Sequence, residues 1–182
     1  MRHTQLLNYA LYQVGWFACV LGASWRYPWV GFAIAVALIG VHLALTSERW
    51  IELRLVMLAT GVGAAIELAQ IAAGTYRFTS GTLAAALPPP WLLVLWAQLA
   101  TAFRFSLRAV IVRPWTAVLL GGVGGPVAFM AGERLGAVDL LPPVHVAVLR
   151  LSILWALAFG AFSVVVRRVA PDGPRPRYRA RW

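Results

Sequence analysis

Three arginines stand in stretches of the sequence that otherwise belong in a lipid bilayer. Arg104 and Arg108 lie one helical turn apart inside the apolar run 91–112, and Arg150 sits in the run 144–166. An arginine at the centre of a membrane helix costs about 2.5–3.5 kcal/mol on insertion scales, so each needs a partner or a route to water. One embedded carboxylate, Glu67, faces the three. The excess positive charge asks for an anion, and a guanidinium matches a phosphate or a carboxylate through two parallel hydrogen bonds. Depth follows from ~1.5 Å of rise per residue counted from the outer end of each run. Glu67, Gln98 and Arg150 fall near ~10 Å, Arg104 and His42 near ~20 Å, and Arg108 near ~25 Å. Glu67 is therefore expected to couple to Arg150, at its own depth, with Arg104 as the other possible partner. Arg104, Arg108, Arg150, Glu67, Gln98 and His42 form the candidate ligand-binding set. The plainer alternative is a buried ion pair that sets helix register, with Arg108 snorkelling to the headgroups and His42 simply packing.

The spacing of these residues does not spell out a catalyst. The sequence has no His-Glu-x-x-His, no Gly-x-Ser-x-Gly and no Cys-x-x-Cys. Ser106 has no histidine on its own helix, and His42 alone cannot make a metal site. No catalytic residue, metal or cofactor is assigned. The single Cys19 excludes an internal disulfide framework.

The elements that must position the polar set are membrane helices. Of 182 residues 61% are apolar and mean hydropathy is +0.76, where soluble domains are about 45–50% apolar. Six stretches reach the length needed to cross a bilayer: 7–24, 29–46, 54–74, 91–112, 115–132 and 144–166. No cleavable signal pattern precedes the first, so it is expected to remain as a span. The expectation is an all-α polytopic membrane protein: a six-helix transmembrane domain over residues 1–166 and a basic, disordered cytoplasmic tail over 167–182. The net charge of +10 is wholly arginine, and six of the sixteen arginines lie in that tail. With both termini cytoplasmic, Arg2, Arg49, Arg54, Arg113 and the tail lie inside, against Arg26, Arg77 and Arg134 outside, as the positive-inside rule requires. Trp25, Tyr27, Trp29, Tyr76 and Trp91 mark the outer interface, Trp50 and Trp115 the inner one. A basic tail directly after a span points to anionic lipid rather than nucleic acid.

Two polar stripes should turn inward, because lipid cannot satisfy them. Gln98, Thr101, Arg104 and Arg108 share one narrow arc of the fourth span; Thr60, Gly63, Glu67, Gln70 and Gly74 share one on the third. Small residues mark the packing faces. Gly124, Ala128, Gly132 and Gly136 recur every fourth position of the fifth span, where Pro126 is expected to kink the helix. Gly15, Cys19 and Gly22 form a similar line on the first.

The segments PPPWLLVLWAQLATAFRFSLRAV and LLGGVGGPVAFMAGERLGAV, with NYALYQVGW near the start (Asn8, Tyr12, Gln13, Trp16) and IELRL with Glu52, are similar to a bacterial family of small inner-membrane proteins, domain-of-unknown-function family 2878. The resemblance covers about residues 7–140. Glu67 stands at that family's usual acidic position, followed by Gly74 and Phe78, and Ser106 and Arg108 match its Ser-Leu-Arg run. Arg104 and Phe105 depart from it, an Asn-His pair being usual there. The resemblance implies a multi-pass protein of the bacterial cytoplasmic membrane and brings no activity with it. Three functions compete: binding or carrying an anionic amphiphile in an arginine-lined interior, a non-catalytic accessory subunit docking a partner membrane protein through small-residue faces, and an intramembrane enzyme acting on lipid.

Overall fold

A computed structural model describes residues 2–169 and Tyr178. The rest of the basic tail, and with it the expected tail–lipid contact, lies outside the described residues. The chain forms α1 (Arg2–Ser24), α2 (Pro28–Leu45), α3 (Arg49–Ala72), β1 (Tyr76–Phe78), α4 (Pro90–Phe103), α5 (Arg108–Ile111), α6 (Pro114–Arg134), β2 (Val138–Leu140) and α7 (Val144–Val169). Proline opens α2, α4 and α6 within the first two positions. Its missing N–H costs nothing there, because the first turn has no intrahelical acceptor for it. Five helices, α1, α2, α3, α6 and α7, are long and apolar enough to span a membrane.

The fourth expected span is not one helix. Helix α4 has 14 residues, about 21 Å at the α-helical rise, short of a hydrocarbon core of about 30 Å. Its ladder stops at Phe103, and a turn over 104–107 leads into the four-residue α5. The break is held from outside. Asn8 of α1 donates from Nδ2 to the Thr101 carbonyl at 3.0 Å. Its Oδ1 accepts from the Ser106 backbone N–H at 3.2 Å and from the Ser106 hydroxyl at 2.7 Å. The polar backbone groups freed by the break thus find a side-chain partner, without which the break would be costly in lipid. The third span also begins earlier than hydropathy suggests, at Arg49 rather than 54, which brings Glu52 inside the helix.

Beyond the helices, β1 and β2 pair antiparallel with Tyr76 opposite Leu140 and Phe78 opposite Val138. This small sheet ties the 75–90 connection to the end of α6. There Gly136 takes φ +84, and the N–H groups of Gly136 and Ala137 close onto Glu133 and Gly132, the helix stop that favours glycine.

Helix packing follows small residues, though not the expected stripe throughout. On α1 the line Gly15, Cys19, Gly22 does meet neighbours. A Cβ on Gly31 would sit 2.3 Å from the Ala18 carbonyl oxygen and 2.7 Å from Cys19 Cα, and one on Gly15 would strike the Gln98 amide. Helix α6 meets α7 through Gly121 and Gly125, where a Cβ would lie 2.3 Å from the Trp155 carbonyl and 2.4 Å from its ring. Gly124, by contrast, has nothing nearer than its own neighbour Leu120 at 3.7 Å. Trp155 determines the difference: its bulk needs the glycine face one residue round the helix. Pro126 is buried inside an uninterrupted α6.

Candidate functional site

A buried polar cluster fills the bundle where α1 begins, α2 ends, α3 begins and α4 stops. Glu52, fully buried, is its centre. Arg104 reaches down from the end of α4 and donates through Nη1 to Glu52 Oε1 at 2.8 Å and through Nη2 to Glu48 Oε2 at 2.6 Å. The other Glu52 oxygen lies 3.3 Å from His42 Nε2. His42 Nδ1 in turn meets the Tyr178 hydroxyl at 3.0 Å, and Asn8 Nδ2 donates to the same hydroxyl at 3.3 Å. The Phe105 ring stacks on Tyr178 with centroids 5.0 Å apart and lies edge-on to His42 at 4.9 Å. Burial pushes the Tyr178 phenol above its ordinary 10.0; the Asn8 hydrogen bond opposes this and the Glu52 charge adds to it.

This arrangement corrects the charge count made from the sequence. Arg104 is not an excess cation: Glu48 and Glu52, which hydropathy places in a flank, both answer it. A bidentate bridge to two carboxylates suits a planar guanidinium. His42 and Arg104, expected at one depth, do come together through Glu52.

The rest of the candidate set is dispersed. Glu67 is fully buried but touches no arginine: Tyr76 donates to its Oε2, and Trp96 Nε1 donates to its Oε1 at 2.9 Å. Arg150 is not its partner. It donates to the Ala73 carbonyl at 2.5 Å, at the C-terminal cap of α3, where the helix dipole favours a cation. The Tyr76 phenol stands well above its ordinary value through burial and then the adjoining Glu67 charge. Gln98 Nε2 donates to the Leu11 carbonyl of α1 at 2.9 Å, joining α1 to α4. Arg108 opens α5, is half-buried, and makes no ion pair among the described residues.

Above the cluster lies an apolar cavity of about 190 Å³. Its walls are Tyr12, Trp16 and Val20 of α1, Trp91, Leu95, Trp96 and Leu99 of α4, Leu120, Gly124, Ala128 and Gly132 of α6, and Trp155 and Phe159 of α7. Three members of the expected packing stripe therefore border this cavity; Gly136 lies just beyond the end of α6. Leu107, next to Arg108, also lines it. Enclosed cavities of about 150 Å³ with apolar walls stay dry and admit an aromatic ring; this one is partly open to its surroundings.

The sequence singled out Asn8 and Glu52 mainly through resemblance, weighed Ser106 also as a nucleophile without a base, and left Glu48 in a flank. Their signal was weak because each lies at a helix end, where a polar residue normally faces water. Among the described residues, no three His, Cys, Asp or Glu side chains meet as a metal site.

Helices of this length and apolarity around a buried polar cluster define a multi-pass helical membrane protein. The family model described as "Protein of unknown function (DUF2878)" matches residues 5–161, and the chain belongs to that family. No curated protein and no solved structure matches it.

Proposed function

We propose that the protein binds an amphiphile in the inner membrane of a bacterium, with the apolar chain in the α1–α4–α6–α7 cavity and an anionic head at Arg108. The observation that carries this reading is the cavity itself: about 190 Å³ of space walled by aromatic and small residues. Gly124, Ala128 and Gly132 keep one wall open where larger side chains would close it. Arg108 follows the wall residue Leu107 in the chain, and in this reading its guanidinium meets the head of the bound amphiphile. In this reading the turn and α5 complete a sixth crossing, and both termini are cytoplasmic. Against the alternative, an accessory subunit docking a partner through small-residue helix faces, stands the place of Gly124, Ala128 and Gly132 at the cavity wall.

Native mass spectrometry of protein extracted in mild detergent tests the reading. Wild type should carry a lipid adduct. Gly124→Leu, whose added Cβ meets no other helix, should lose it with an unchanged melting curve, and Arg108→Leu should lose it when the head is anionic. A wild-type protein free of lipid, or an adduct indifferent to Gly124→Leu, overturns the proposal.

A further inference from the structure

The contacts of Tyr178 describe a socket with chemical preferences of its own. Glu52, held by Arg104, is 3.3 Å from His42 Nε2. A carboxylate there favours the tautomer with the proton on Nε2, which leaves Nδ1 as an acceptor. The group 3.0 Å from Nδ1 must then donate to it, while the same oxygen accepts from Asn8 Nδ2 at 3.3 Å. Asn8 Nδ2 also lies 3.5 Å from Nδ1, but the shorter 3.0 Å approach belongs to the hydroxyl. A group that both donates and accepts satisfies the pair, whereas a carboxylate or ether oxygen does not. The ring carrying it lies nearly parallel to Phe105 (26° between planes) and edge-on to His42 (5.7 Å, 79°). Among the described residues, a further tie is an isolated antiparallel bridge between Thr46 and Tyr178.

We infer that this socket is a recognition site for a neutral aromatic hydroxyl, a phenol or quinol ring, and that Tyr178 is its internal occupant, displaced when such a ligand binds. The inference does not depend on the cavity reading, because it concerns different residues at the other side of the Asn8–Ser106 link. An internal occupant weakens an external ligand by the fraction of time that it leaves the site free. Removing it therefore raises apparent affinity without adding any contact.

The probe is p-cresol, the tyrosine side chain as a free molecule, with its methyl ether as a partner that accepts but cannot donate. Both are titrated by ligand-observed NMR into the full chain in micelles, as wild type, Tyr178→Ala, and Tyr178→Ala with His42→Leu. Tyr178→Ala should bind p-cresol about tenfold more tightly than wild type, as for a site free about a tenth of the time. In that variant the ether should bind at least about tenfold more weakly than p-cresol, since it leaves a buried acceptor unpaired. His42→Leu should abolish the preference. Equal binding of the two probes by Tyr178→Ala, or no gain over wild type, overturns the inference. The comparison of probes on Tyr178→Ala stands even when the double variant fails to fold.

Discussion

Arg104 and Glu67 were expected to share one problem, a charge in lipid, and they solve it differently. Arg104 is matched by two carboxylates, so it belongs to a bridge whose parts depend on one another. Removing one partner of a buried pair strands the other at a cost of about 3–5 kcal/mol. Arg104→Leu should therefore destabilise the bundle by that order in a denaturant titration in micelles, and Arg104→Leu with Glu52→Leu should regain much of the loss. Glu67 takes two neutral donors and no cation. Glu67→Leu leaves the Tyr76 and Trp96 donors unpaired, at about 1–3 kcal/mol each. Its effect should add to that of Arg150→Leu within about 0.5 kcal/mol, as for sites that share no partner; a larger coupling energy would reinstate the pair expected from depth. Tyr178 adds a dependence on pH. Its folded value is raised, so its docking is fully present below the ordinary 10.0 and is lost as pH climbs past 10.0 through the raised value. An ultraviolet difference titration against Tyr178→Phe should show this late ionisation, and a curve centred on 10.0 would contradict it.

At the scale of elements, the α4–α5 break is the departure with most consequence. Without it Arg104 could not end α4 with its side chain over Glu52, and Ser106 could not meet Asn8. Hydropathy has no term for this, because Arg104, Ser106 and Arg108 fit a continuous span of 91–112 as well as a broken one. The packing of α6 teaches the same lesson at smaller range. Both the Gly124 series and the pair Gly121, Gly125 are small-residue lines at four-residue spacing, and only the position of Trp155 selects between them. The two lines should thus respond differently to bulk. Gly125→Leu puts atoms into the Trp155 ring and should lower the melting temperature sharply, while Gly124→Leu extends into the cavity and should hardly change it. Similar losses from both variants would mean that the cavity wall is as tightly packed as the α6–α7 contact.

For the whole molecule, crossing number and sidedness are linked. Five long helices alone would put the termini on opposite sides; in the proposed reading α4 with α5 serves as a sixth passage and returns the chain to the side on which it started. The isolated bridge from Thr46 to Tyr178 places the end of α2 beside a residue that follows α7, the neighbourhood that the proposed six passages would give. Reporter fusions after Trp182 and within residues 82–86 should report cytoplasm and periplasm respectively. A periplasmic reporter after Trp182 would remove the sixth passage.

The family came from the resemblance of particular motifs; composition and hydropathy were enough to determine that this is a helical membrane protein and where its five long helices run to within a few residues. Those properties are sums over local stretches, and the bilayer imposes them one helix at a time. The partners of the polar residues are not local. Arg104 meets Glu48 and Glu52 across some fifty positions, and Asn8 meets Ser106 across nearly a hundred. Depth along a helix orders such residues vertically but leaves open which helices are neighbours and how each is rotated. Only the tertiary structure decided those two quantities, and with them that the arginines do not converge, that Glu67 pairs with Tyr76 and Trp96, and that a glycine stripe borders a cavity.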